Sequence, residues 1–444
     1  MKRTLLLWLL LIWSLTLVGC NSTSNVENEN DFTPPEMNGQ QPPEKPDWEW
    51  WPWGMPGWHW WSQKDITYNW ANVISSSTTA SNETYTSSNS SENALLIEGW
   101  ESILDNITVE KTWDSDEWDS ADFYWTNAWI LAKAWEVTIT NSNITTNATH
   151  GNAVYAYWEW SIIISDSTIT TKKDTSWGIM VTWGWKLTAN NLTITTDWRS
   201  SAPIRSDRGG WTLVVNGWTY TSNGLGSPAV YSTADITVND ATLVSNISEG
   251  IVVEGKNSVT LNNSSLSANN TQHNSKNSSV YKGIFLYQSV SWDAEEGTAE
   301  FEANDSDIEI KNWDTFYVTN TSAKITLKNT TIINSVGDFL RIEAAGWWKE
   351  GSNGWDVTLT LINQIIKWNI LVDSISSLVM NITNGSNFEW AINTANESED
   401  ITVTLDANST WTLTADSYIT TLNNEVSDNS NINLNGYKLV VANS

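Results

Sequence analysis

Two short stretches gather the residue types that sugar chemistry requires. "IRSDR" places Arg205, Asp207 and Arg208 together, and "VEGK" supplies Glu254 and Lys256. A polysaccharide lyase needs a basic residue near a bound cation, and a glycosidase needs two carboxylates set across a cleft. The same five residues would equally make a structural ion-pair cluster holding a bulged turn. Pectinase-like hydrolases carry a paired Asp-Asp, and the chain has no such dipeptide. His59, His150 and His273 have no nucleophile or metal-ligand spacing around them. The calcium nonapeptide Gly-Gly-x-Gly-x-Asp is also missing. The reading is therefore non-catalytic, with no metal site and no cofactor beyond weak calcium binding by scattered Asp side chains.

A second pattern suits binding. Tyr157, Arg205, Tyr231, Glu254, Tyr287, Tyr317 and Arg341 recur at outward positions of successive strands. Stacked strands would set neighbouring members ~4.8 Å apart. Aromatic rings flanked by guanidinium and carboxylate suit sugars, which offer apolar C–H faces and hydroxyl edges. An ordinary solvent face with packing between rungs would show the same residues.

These residues need a scaffold, and the sequence repeats. Apolar, any, Asn/Asp/Gly, any, any, apolar recurs with its middle residue at Asn106, Asn141, Asp166, Asn191, Gly217, Asp240, Asn263, Asp305, Asn329 and Asn363. Most steps are 23 to 26 residues, and three longer ones of 35, 42 and 34 carry extra loops. Periods of this size belong to solenoids. Within each unit the apolar residues alternate, as in "EVTITNSNITT", the period of a half-buried strand. Asn, Asp and Gly tolerate the left-handed conformation of a sharp bend. The prediction is all-β: a right-handed parallel β-helix of about ten to twelve rungs in all, its main body over residues 65–355 and its last rungs and a cap over 356–444.

At the N-terminus Lys2 and Arg3 precede a mostly apolar run that ends in "LVGC". This resembles the bacterial lipobox, in which Cys20, the chain's one cysteine, is acylated. Residues 1–20 read as a lipoprotein signal peptide, and 21–64 as a disordered tether rich in Pro, Gly and Trp. The expected location is outside the cytoplasmic membrane, at the cell surface, held by lipid. The net charge of −29 argues against nucleic acid and anionic lipid as partners.

Tryptophan outnumbers glycine, 32 to 23, although glycine normally makes up about 7% of a protein. The two types share the same turns, as in "TWGW" and "AAGWWKEGSNGW", and "WEWWPWGMPGWHWW" holds seven tryptophans in fourteen residues. Turns with φ above zero select glycine, and tryptophan is a poor substitute. The economical account is recoding: a UGA codon that the source reads as glycine has been translated as Trp. The alternative is a true Trp-rich surface, with Trp135, Trp160, Trp185 and Trp211 forming a stacked ladder before successive strands.

At "APIRSDRGGWTLVVNGWTY", "GSPAVYSTADITV", "EGIVVEGKNSVTL" and "DTFYVTNTSAKITL" the chain resembles a family of secreted bacterial right-handed β-helix proteins, many of them adhesin-like. More distantly it is similar to polysaccharide-binding β-helix modules. The resemblance covers roughly residues 65 to 444. It implies glycine at Trp177, Trp183, Trp185, Trp211 and Trp218, and a genuine tryptophan at Trp411. Three functions follow as expectations: a surface protein binding polysaccharide or mediating adhesion, a β-helix lyase or hydrolase, or a structural envelope protein. The first is preferred.

Overall fold

A computed structural model describes residues 67–442, apart from 117, 134, 153, 157–160, 183–185, 210–211, 274–279, 290–293, 346–352 and 399. Cys20 and the tether expected over 21–64 lie outside the described residues. Residues 70–441 form a parallel β-solenoid of about 14 turns. That is more than the ten to twelve expected. Asn82 opens the bend column one turn before the first motif counted, and Asn384 continues it with an inserted Gly385.

Each turn contributes up to three strands. One joins a twelve-stranded parallel sheet that runs from Trp70–Ile74 to Ile370–Val372, here the first sheet. The other two lie on either side of the bend and form the second and third faces. In the central turns they merge into unbroken strands of eleven residues, Lys186–Thr196, Thr212–Ser222 and Asp235–Ser245. Register is strict. Leu187, Leu213, Ile236, Val259 and Phe301 stack directly on one another and are buried. No single turn could bury its apolar edge, so the stack as a whole makes the core.

The bends behave as their residue types demand. All ten middle residues of the repeat have left-handed φ, from 46° at Asn263 to 78° at Gly217. Their side chains then bond from turn to turn: Asn106 Nδ2 donates to Asn82 Oδ1 (2.7 Å), Asn191 to Asp166 (3.0 Å) and Asn329 to Asp305 (2.8 Å). One residue earlier, a second ladder runs Asn190, Asn216, Asn239, Asn262, Asn304, each amide donating to the one before at 2.9–3.0 Å. The two ladders hold the rungs in register.

Tryptophans occupy contrasting settings, and Trp125 combines burial with a positive φ of 61°. Trp411 is fully buried, packs 6.0 Å from Phe388 and donates its indole N–H to the Trp390 carbonyl at 3.0 Å. Trp218 and Trp313 instead sit at φ 69° and 67° and are 60% and 49% exposed. A bulky side chain at positive φ is a steric outlier. Of the anticipated ladder only Trp135 is described, and it stacks at 5.6 Å on Trp100, which was not part of that ladder; Trp160, Trp185 and Trp211 lie outside the described residues, as does Trp183.

Candidate functional site

The anticipated row maps onto the outer face of the first sheet, and alternation explains why. In Ile204–Asp207 the residues Ile204 and Ser206 point into the core, so Arg205 and Asp207 point out. Cross-strand pairing then runs Tyr155–Met180–Arg205–Tyr231–Val252–Phe285–Tyr317–Arg341. Four of the predicted residues, Arg205, Tyr231, Tyr317 and Arg341, therefore share one column. Glu254 and Tyr287 pair with each other in a second column, two residues further along their strands. Tyr157 lies outside the described residues, and Tyr155 holds the column position in its turn.

Arg205, Tyr231, Glu254 and Tyr287 form one contiguous cluster. The Arg205 guanidinium lies between two rings, 4.2 Å from the centre of Trp177 and 4.4 Å from that of Tyr231, and is paired with Asp207. Burial works against the Arg205 charge, but Asp207, with help from Tyr231 and Asp122, more than offsets it and holds the group above its usual range. Glu254, 1% exposed, accepts hydrogen bonds from the hydroxyls of Tyr231, Ser289 and Tyr287, the last at 2.9 Å. Burial pushes its carboxyl upward, and the three hydroxyls pull the other way without cancelling the effect. Phe285 stacks on Tyr287 at 4.4 Å. Tyr231, Tyr287 and Ser289 remain half-buried, so the cluster meets solvent through these three residues.

The flanks are less exposed than expected. Tyr317 is buried and donates to Glu343 at 3.1 Å, and Arg341 is held by Asp314 (2.5 Å), Asp338 (3.2 Å) and Glu343 (3.6 Å). Lys256 does not join Glu254; it reaches Glu295 at 3.7 Å in solvent. Arg208 lies over the Phe123 ring at 3.4 Å. Phe123 belongs to the short helix Trp118–Tyr124, formed inside the 35-residue step. That helix is fastened by the buried Asp122 carboxylate, 2.9 Å from His150 Nδ1 and 3.2 Å from Asn152 Nδ2. The second long step supplies Val280 and Tyr281, with His273 stacked on Tyr281 at 3.9 Å. Sequence reasoning missed these covers, because nothing in a loop's composition says which face it lies on. Ser289 was within reach: it follows Tyr287 by two residues, so alternation turns it outward.

Among the described residues no group of three or more His, Cys, Asp and Glu side chains is placed to hold a metal ion. No helix of the described residues is long and apolar enough to cross a membrane. Comparison with protein-family models, with curated proteins and with solved structures gives no match to this chain.

Proposed function

We propose that the chain is a lipid-anchored cell-surface solenoid that binds polysaccharide, or the glycans of another cell, through the Arg205–Tyr231–Glu254–Tyr287 cluster, without catalysis. The observation that carries this reading is the fixing of two partly buried tyrosines on one buried carboxylate. Rings immobilised before the ligand arrives lose little entropy on binding, which is what a sugar-stacking platform requires. Cys20 supplies the anchor in this reading, and the membrane is reached through lipid alone.

A glycan array or polysaccharide pull-down with the parent, Tyr231→Ala and Tyr287→Ala is the direct test. Each substitution should weaken binding by about 1 kcal/mol, the order of one lost stacking contact. A parent that binds no glycan, or variants that bind as the parent does, would sink the reading. Loss of the membrane-bound fraction in Cys20→Ala checks the anchor.

One observation favours a β-helix lyase or hydrolase as a second reading. A carboxyl raised by burial and two tyrosine hydroxyls within hydrogen-bond reach make a proton-transfer set beside the Arg205–Asp207 pair. New chain ends appearing in a bound polysaccharide, and disappearing with Glu254→Gln, would establish it.

A further inference from the structure

The third face differs from the first. Three successive turns carry Thr-x-Thr at the same place: Thr168 and Thr170, Thr193 and Thr195, Thr219 and Thr221. They are in register, Thr168–Thr193–Thr219 in one column and Thr170–Thr195–Thr221 in the next. Thr145 and Thr242 extend the two columns by one turn each. All eight side chains are exposed or half-buried on the outer side of the sheet. None of the six central hydroxyls bonds to another protein group.

We propose that this threonine grid binds the surface of ice. Its hydroxyls and methyls repeat every ~4.8 Å along the stack and every ~6.6 Å along each strand. Both repeats lie near oxygen-to-oxygen repeats on faces of hexagonal ice, so one water layer can match the grid in two dimensions at once. Register is held by the neighbouring Asn190–Asn216–Asn239 ladder, which keeps the spacing uniform before any ligand arrives. The charge matches too. In a chain of net charge −29 the two columns bear no ionisable side chain from Asn143 to Ser267, and carboxylates return only at Glu110 on one side and at Asp307 and Glu309 on the other. An uncharged lattice is the complement of an uncharged grid. A soluble ligand has no need of a two-dimensional repeat.

The test uses the full chain. Thermal hysteresis, arrest of ice recrystallisation and partition into slowly growing ice are measured for the parent, Thr195→Tyr, Thr193→Lys and the control Lys186→Ala. The parent should partition into ice and show hysteresis, each threonine variant should lose at least half of it, and the control should keep it. Circular dichroism melts confirm that the variants fold. Where a variant fails to fold, Thr219→Lys, in the same column as Thr193, replaces it and should likewise lose at least half of the effect. A parent excluded from ice, or threonine variants equal to it, overturns the proposal. Binding of chitin or cellulose that Thr195→Tyr abolishes, without ice activity, also overturns it and gives the face to a neutral crystalline glycan. These outcomes are independent of the first-sheet tyrosines, which are absent from this face.

Discussion

On the outer face of the first sheet the side chains of Arg205, Asp207, Tyr231, Glu254 and Tyr287 contact one another, whereas on the third face the hydroxyls of Thr168, Thr193 and Thr219 bond to no protein group. Both faces stand on the same parallel backbone with the same rung spacing. They differ in what lies over them. The helix Trp118–Tyr124 and the segment around Tyr281 pack against the first face, so polar groups there lose water and must find protein partners. The threonines keep their water and need no partners. A polar group's neighbours are thus set by burial, more than by its place in the repeat.

Breaking the first face should be costly. Asp207 is 2% exposed, and Arg205→Ala would leave its carboxylate buried and uncompensated. A loss of about 3–5 kcal/mol is expected in urea or thermal unfolding. Trp177, 2% exposed, covers the same guanidinium, and Trp177→Gly should cost about 3 kcal/mol through the cavity it leaves. Peptide masses from the natural source read this position directly. Glycine there would leave Tyr231 as the guanidinium's ring partner and lower the cost of Arg205→Ala.

Glu254→Gln weakens the same cluster more gently, by about 1–2 kcal/mol, since an amide still accepts hydrogen bonds from the hydroxyls. Its effect depends on pH. Burial raises the folded carboxyl above the ordinary Glu value of ~4.3. A group raised in the fold stabilises fully below its unfolded value and loses that contribution as pH rises through its folded value. The parent's advantage over the Gln variant should therefore be greatest at acid pH and shrink above the ordinary glutamate range. An advantage that grows with pH would contradict this sign.

The smallest expected effect belongs to the third face and has the opposite direction. Trp218 borders the threonine grid at φ 69°, and Trp218→Gly should stabilise the fold by about 1 kcal/mol through relief of that backbone strain. A lower melting temperature for the glycine form would count against glycine as the native residue. Together, Trp177→Gly and Trp218→Gly ask whether the covered face uses its tryptophan while the open face merely tolerates one.

Much of the architecture was legible in residue order. Alternation marked the strands, and every Asn, Asp or Gly chosen as a bend has the expected left-handed φ. Arg205 and Tyr231 were placed correctly because they sit one regular step apart. Glu254 and Tyr287 were assigned to their neighbours' column but stand two residues off it. Tyr231 pairs with Val252, two residues before Glu254, because the first sheet does not advance by the same count as the bends. Glu254 and Tyr287 then keep register with each other. The Asp122–His150 contact was invisible because it joins an inserted helix to the bend of the following turn.

By itself the sequence determined which side chains point inward, where each turn bends and how the bends bond, because these follow from alternation and from the φ that Asn, Asp and Gly tolerate. Tertiary structure alone decided which outward residues are covered. Two residues with identical alternation, Tyr317 and Thr219, end up buried and half-exposed because insertions distant in sequence lie over one sheet and not the other. Burial depends on what packs from outside the strand, and no local pattern encodes that.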